Sequence, residues 1–399
     1  MATIWPDQGL DVATLLASGW RPTPVREVVL KVHQRCNLAC DYCYVYTMAD
    51  RSWRDRPPVI SREVWLAVAR RMAEHAAAHD LPSMALVLHG GEPLLAGRDL
   101  LGRLIEDFRA AFTGVSRLDV RMQTNGTLLD EDTLELLAGH RVTVGVSLDG
   151  PADANDRRRR RADGRGSHAD VQRALRLLGQ ERYRAVYGGL LCTIDVTTDP
   201  LECYRELLAH RPPSVDLLLP HANWQVPPPR PPGSGPAPYA DWLITVFDRW
   251  YGAPHRETRI RLLDDLTALV LGGAGRSEQA GLSPVAVLIA ETDGSIELVD
   301  SLKSAYPGAC RTGLTVFADT LDAALRYPGM AARQIGRQAL SDTCHACAEC
   351  SVCGGGHYAH RFRPESGFRH PSVYCADIIR LIAHIRGRVI TDLACLSPN

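Results

Sequence analysis

From residue 26 to residue 219 the chain repeats one unit, a short apolar run followed by a longer stretch with apolar residues at helical spacing. The apolar runs fall at 27–32, 85–89, 118–123, 142–148, 185–194 and 215–219. The amphipathic stretches lie between them, at 62–78, 100–112, 132–138, 170–178 and 201–209. Segments alternating at this length bury their apolar faces as βαβ units, so a parallel sheet with covering helices is expected. The predicted fold class is α/β, and the alternation leaves a partial or a complete barrel open. In such folds ligands gather beyond the carboxyl ends of the strands. Those ends are where the informative residues should stand.

The segment 226–238, VPPPRPPGSGPAP, interrupts the pattern. Proline lacks the amide donor and fixes its own φ, which excludes helix and central strand. A plain connector accounts for it better than a partner-binding polyproline motif. Helices are expected at 239–251 and 259–271, then a hairpin at 285–290 and 295–299 turned by Asp293-Gly294. A final helix is expected at 376–385. The predicted organisation is an N-terminal extension (1–25), a first domain (26–225), a linker with bridging helices (226–283), a cysteine-rich domain (284–377) and a closing helix and tail (378–399).

A formal net charge of -1 gives no electrostatic case for a nucleic-acid partner. No basic region leads into an apolar one at the N-terminus, and no apolar run is long enough to span a bilayer. A cytoplasmic protein without a membrane partner is expected. In that setting its 12 cysteines point to metal or redox chemistry rather than disulfides.

Cys36, Cys40 and Cys43 stand in RCNLACDYCYVY, directly after the first apolar run. Short spacings let one loop wrap an iron–sulfur cubane. Four irons with only three cysteines at hand leave one iron open to another ligand. Structural zinc favours paired C-x2-C ligands with a second pair further on, which this spacing does not offer.

C-x3-C-x2-C after a first strand, with the aromatic Tyr42 before the last cysteine, resembles the radical S-adenosylmethionine (SAM) superfamily. The resemblance implies a [4Fe–4S] cluster on Cys36, Cys40 and Cys43 whose open iron binds SAM, and reductive cleavage of SAM to a 5′-deoxyadenosyl radical. Further motifs match in order: LHGGEPLL with Gly90, Gly91 and Glu92; QTNGTLL with Asn125; VSLDGP with Ser147 and Asp149; and GLLCTIDV with Leu190. By resemblance these contact SAM, Glu92 through its amino group and Leu190 beside the adenine. Taken singly, each is ordinary turn chemistry. The run NDRRRRRADGRGSH reads as a solvated face rather than a nucleic-acid patch. The resemblance assigns one of its arginines to the SAM carboxylate, and Arg159 is the choice made here. Cys192 reads as a core residue.

A second group, CHACAECSVCGGGHYAH followed by PSVYCAD, suits zinc or a cluster equally on spacing. It resembles the SPASM extension of peptide-modifying radical SAM enzymes, and the two resemblances together imply a partial (β/α)6-type TIM barrel followed by a small cysteine-rich SPASM/twitch-like α+β domain. That resemblance implies an auxiliary [4Fe–4S] cluster on Cys344, Cys347, Cys353 and Cys375, with Cys350 and Cys310 as further possible ligands. His357 replaces the fourth cysteine of the quartet, and upstream stand Glu291, Asp300 and Cys310, so a second auxiliary cluster is not expected.

KVHQRCNLACDYCYVY, LLLPHANW and SLKSAYPGACRTGL resemble the FxsB-type maturases, of the branch that makes three-residue cyclophanes. The implied substrate is a precursor peptide ending in F-x-S-x-x, crosslinked from the Phe ring to the Ser β-carbon. A flavodoxin- or ferredoxin-type donor would supply electrons. His221, Trp224 and Asp216 are candidate substrate residues, with Glu202 a further candidate base. Competing products are a thioether, an epimer or a sulfatase-maturase-like oxidation; the competing class is a zinc-stabilised scaffold.

Overall fold

The computed structural model describes residues 5–396, so the first four residues of the expected extension and the last three of the expected tail lie outside the described residues. The chain divides into two compact units. One comprises residues 12–191 and 286–330, the other residues 5–11, 192–285 and 331–396.

The strands are β1 (Glu27–His33), β2 (Ser83–Gly90), β3 (Arg117–Thr124), β4 (Thr143–Ser147), β5 (Tyr187–Thr193), β6 (Ser214–Leu218), β7 (Arg259–Ile260), β8 (Val287–Ala290), β9 (Ser295–Glu297) and β10 (Arg311–Thr315). In the first unit they lie in the order β10-β9-β8-β1-β2-β3-β4-β5, parallel from β8 to β5. β8, β9 and β10 are joined antiparallel. The six expected strands are all present, and the sheet is the partial-barrel α/β type expected.

Each crossover helix buries one stripe. On Arg98–Phe112, Leu101, Leu104, Ile105 and Phe108 are wholly buried while Arg98, Asp99 and Arg103 face out. Such side chains each contribute about 1.5–3 kcal/mol by leaving water. Ser61 and Asp130 cap the helices Arg62–Ala78 and Glu131–Gly139 through their side-chain oxygens.

Three elements differ from expectation. The closing helix runs over Cys375–Leu396, well past residue 385. Gly387 lowers its intrinsic propensity, but its apolar face (Leu381, Ile382, Ile385, Val389) is buried, and packing overrides propensity. β10 adds an edge strand, its polar RTGLT giving no clear period. The expected helix 259–271 is preceded by the two-residue β7, paired parallel to β6.

In the second unit no regular element lies between β6 and the helix Pro238–Tyr251, as the prolines demand. That helix is capped from afar: Asp377 accepts from the amides of Tyr239 (2.9 Å) and Ala240 (3.1 Å). No helix among the described residues is long and apolar enough to cross a membrane.

Candidate active site

The cysteine loop starts where β1 ends, and its neighbours are the carboxyl ends of β2, β3 and β4. Gly91 N–H donates to His33 O at 2.8 Å and Glu92 N–H to Arg35 O at 3.0 Å, pinning the end of β2 to the loop. A Cβ on Gly90 would stand 2.2 Å from His33 O, and one on Gly91 1.9 Å from the Tyr46 hydroxyl and 2.4 Å from Arg35 O. The paired glycines are therefore required by the loop's own packing. From the other side, Ala39 N–H donates to Arg160 O at 2.6 Å.

Cys36, Cys40 and Cys43 are half-buried and unbridged. Burial pushes the Cys36 thiol up to about 11 and the Cys40 thiol to about 12, and raises Cys43 in the same direction. Cys36 also feels Cys43, and Cys40 feels both Cys43 and Cys36, as like charges. Two donors aim at the Cys36 sulfur, Leu38 N–H at 3.4 Å and Asn125 Nδ2 at 3.6 Å. Donors on a sulfur suit a thiolate that a metal has deprotonated. Among the described residues, the groups with three ligand atoms within 4.8 Å of one another contain no cysteine. Three unbridged thiols in one short loop, with two donors on the Cys36 sulfur, fit a cluster.

Asn125, at the end of β3, is held by Asn37 (Nδ2 to Oδ1, 2.8 Å) and by Thr127, whose hydroxyl donates to its Oδ1 at 2.7 Å. Glu92 is wholly buried and accepts three hydrogen bonds, from Leu94 N–H (3.0 Å), the Thr124 hydroxyl (2.7 Å) and Asn125 N–H (2.8 Å). Burial raises its carboxyl above the usual range, against the pull of those donors. Its place is a clamp between the ends of β2 and β3. Sequence reasoning had supplied Glu92 but not Thr124, Thr127 or Asn37.

The half-buried Tyr42 joins the buried Asp149 and Arg159 in one set. The Tyr42 hydroxyl donates to Asp149 and accepts from Arg159 Nη1 at 2.8 Å. Of the five consecutive arginines only Arg159 is buried, and its Nε has no hydrogen-bond partner. The others face outward, Arg158 pairing with Asp41 at 3.0 Å and Arg161 with Asp170 at 2.7 Å. Ser147 accepts from Gln123 Nε2 at 3.0 Å, and Leu190 is buried on β5 opposite Val146. A buried guanidinium with a spare donor fits an anionic group such as a carboxylate.

Beside β1 lies a buried ion network. Lys303 meets Glu291 at 2.7 Å, Asp300 at 2.9 Å and Glu297 at 3.8 Å; Arg56 pairs with Glu291 and Glu297; Lys31 pairs with Asp300. Cys310 is buried among these charges, its thiol raised by desolvation first and then by Glu297.

In the second unit the C-terminal cysteines follow one another through single turns. Ser341 Oγ accepts from Cys344 N–H at 3.3 Å, and Cys347 N–H donates to Cys344 O at 3.2 Å. Gly354, Gly355 and Gly356 all take positive φ, and a Cβ on Gly354 would stand 1.7 Å from Gly281 O. Arg361 fills the bend, donating from Nη2 to the carbonyls of Gly354 and Gly356 at 2.7 Å each. Cys375 opens the closing helix. Burial pushes Cys353 up to about 12, with Cys375 and Cys344 adding to it, while Cys375 and Cys350 each feel Cys344 and Cys347.

Of the candidate substrate residues, Trp224 is exposed, its Nε1 donating to Pro371 O at 2.7 Å, in a groove it shares with His370 and Cys375. Asp216 is buried and paired with Arg261, and Glu202 is exposed on its helix. His221 sits among His357 and His360.

Residues 30–207 match the model of the radical SAM superfamily. A cysteine-type anaerobic sulfatase-maturating enzyme of Clostridium perfringens (strain 13 / Type A) is 26% identical over 282 residues, covering 68% of this chain and 73% of that relative. A serine-type enzyme of Bacteroides thetaiotaomicron is 25% identical over 287 residues, 66% of this chain and 65% of the relative. Among solved structures, anSMEcpe with bound AdoMet and Cp18Cys peptide superposes with a TM-score of 0.77 at 21% identity, covering 93% of this chain and 99% of that one. Streptococcus suis SuiB bound to its precursor peptide SuiA superposes with a TM-score of 0.57 at 15% identity, covering 91% and 78%. The fold likeness extends beyond the radical SAM segment, and the cysteine loop, Gly90, Gly91, Glu92, Asn125, Ser147, Asp149, Arg159 and Leu190 all fall inside that segment.

Proposed function

We propose that this protein is a radical SAM maturase that crosslinks a ribosomal precursor peptide, joining an aromatic ring carbon to the β-carbon of a residue two positions later. The observation that carries the radical SAM part is the Tyr42–Asp149–Arg159 set beside three desolvated thiols inside the matching segment. When bound, the cluster and SAM supply a carbon-centred radical that removes a hydrogen atom from an unactivated position. Cys36, Cys40 and Cys43 hold that cluster. Arg159, with its spare Nε, takes the SAM carboxylate, and Tyr42 and Asp149 fix the guanidinium in place. Glu92 holds Asn125 in place and, with acceptor capacity left on its carboxylate, takes the SAM amino group. Gly90 and Gly91 let the loop seat, Ser147 lies at the end of β4, and Leu190 packs behind.

Cys344, Cys347, Cys353 and Cys375 hold one auxiliary cluster, with Cys350 an additional thiol in reach of two of them. A single auxiliary cluster agrees with the ion network, because Glu291 and Asp300 are spent on Lys303, Lys31 and Arg56. Trp224 offers an exposed aromatic surface for the peptide. A Phe–Ser crosslink in an F-x-S-x-x peptide is the specific product proposed, with a flavodoxin- or ferredoxin-type electron donor. Crosslinking removes one hydrogen as an atom and a second as a proton plus an electron, for a net loss of H2.

The relatives named as sulfatase-maturating enzymes favour a second reading, oxidation of a single side chain on a protein. Co-expression with a candidate precursor and tandem mass spectrometry separates the two. A crosslink gives loss of H2 and no backbone fragments between the joined residues. Loss of H2 with a full fragment ladder would sink the crosslink and leave the single-residue reading.

A further inference from the structure

Among the described residues two groups gather three metal-ligating side chains with ligand atoms within 4.8 Å of one another, His75–His79–Asp322 and His221–His357–His360. The first is explained by its own contacts. His75 Nε2 accepts from Val25 N–H at 3.0 Å, and its Nδ1 meets Asp322 at 3.2 Å.

In the second, ring nitrogens of His357 and His360 are left without a partner. His221 follows β6, while His357 and His360 belong to one 3-10 turn, His357 as the residue before Tyr358–Arg361. The ring centroids stand 5.5 Å (His221–His357), 5.8 Å (His221–His360) and 4.8 Å (His357–His360) apart. His360 is 3% exposed, and neither of its ring nitrogens has a hydrogen-bond partner; His357 Nδ1 has none either. Buried imidazole nitrogens are ordinarily satisfied, so three in one cluster call for a group to satisfy them.

We propose that His221, His357 and His360 form a binding site for a divalent transition-metal cation, of zinc type, ligated by imidazole nitrogen and built without cysteine. Zinc takes imidazole nitrogens at about 2.0–2.1 Å in tetrahedral sites, so a bound ion would draw the three nitrogens a little closer. Burial, followed by the neighbouring imidazoles and Arg361, holds His357 and His360 well below the ordinary histidine range, and neutral rings keep the lone pairs a cation needs. Glu278 Oε2 lies 4.0 Å from His357 Nε2, the place of a carboxylate that orients a ligating ring from behind and leaves Nδ1 to the metal. Two guanidiniums are nearby and both are engaged. Arg333 Nε and Nη2 donate to Glu278 at 2.6 and 2.5 Å, and Arg361 donates to the glycine carbonyls of the bend. Water or a peptide group would complete the shell. The site does not depend on the crosslinking reading, and it turns His221 from a peptide contact into a ligand.

The test uses the full chain with its clusters reconstituted anaerobically, washed with chelator, given one equivalent of Zn2+ and desalted. The expected result is about one zinc retained per chain, with a nitrogen/oxygen-only shell near 2.0 Å by X-ray absorption. H357A/H360A should weaken retention at least tenfold while the iron and sulfide content is unchanged. Should that double variant fail to fold by circular dichroism, H360Q and H221Q decide singly, each expected to weaken retention at least tenfold. Sulfur at about 2.3 Å in the zinc shell, no retained zinc, or retention indifferent to these substitutions overturns the site.

Discussion

The cysteine loop after β1 and the cysteine run from Cys344 are equally short, yet they are held by different means. The first is seated by regular structure. Backbone amides of β2 and its exit donate to the loop, and the buried Glu92 ties β2 to β3 behind it. The second has almost no regular structure of its own. It is shaped by three glycines at positive φ, by Arg361 lying across their carbonyls, and by a helix that delivers Cys375 from 22 residues beyond Cys353. One thiol set is thus preformed by a sheet, and the other is assembled by a bend and a distant helix. A sheet end tolerates variation in its loops while fixing their roots, which suits a site that must position a cleaving cofactor. A bend stabilised by side chains is expected to depend more on the metal it holds.

The largest effect should separate the two sets outright. Changing Cys36, Cys40 and Cys43 together to Ala should abolish 5′-deoxyadenosine formation by chromatography, while the iron held by the C-terminal set remains. Changing Cys344, Cys347, Cys353 and Cys375 to Ala should leave SAM cleavage within about tenfold and remove modified peptide. If SAM cleavage survives the triple substitution, the loop is not the SAM site.

The same steric insult can next be placed in each region. Gly91→Ala drives a methyl into Tyr46 and the Arg35 carbonyl, and Gly354→Ala drives one into the Gly281 carbonyl. Overpacking of this kind costs about 1–3 kcal/mol, with about 1 kcal/mol more at Gly354 for its left-handed backbone. Gly91→Ala should release iron from the first site only, and Gly354→Ala from the second only, measured as iron per chain in the two cysteine-deleted backgrounds.

Glu92→Ala strands three donors and should destabilise the apoprotein by at least about 1–3 kcal/mol in urea unfolding. A change under a few tenths would mean that the clamp between β2 and β3 is not real. The smallest expected effect concerns pH. His89, on β2, is half-buried beside Lys31, and desolvation first, then that lysine, lowers it to about 3. Its native value lies below its unfolded one, so the unfolded chain binds the extra proton. The stability it contributes is therefore present above about pH 6.5 and lost as the pH falls toward 3. His89→Leu should flatten that part of the stability–pH curve, and an unchanged slope would remove His89 as its source.

Much of the fold was legible because strand–helix alternation is a local signal. The six expected strands of residues 26–219 appear, and the Asp293-Gly294 hairpin appears as β8 and β9. Elements that local propensity opposes were not legible. The closing helix passes through Gly387 because its packed face outweighs one glycine, and β10 is held by pairing with β9 rather than by its own composition. At the site, burial alone separates Arg159 from the four arginines beside it, a difference that no local pattern carries. In the HYAH string at 357–360 the two histidines stand three apart, a local signal for half of the cluster, while His221 joins them only through the fold.

By itself the sequence determined the α/β alternation, the spacing of the thiols and the turns at the strand ends, all properties of neighbouring residues. Only the tertiary structure decided which distant groups meet. It spends Glu92 on Thr124 and Asn125, turns Arg159 inward while its neighbours face water, fills the space beside Cys310 with ion pairs, and sets His221 against His357 and His360. The physical reason is that a charge or an imidazole keeps the same local preferences in water and in the interior. What changes inside is the cost of leaving it unpartnered, and that cost depends on residues far away in the chain.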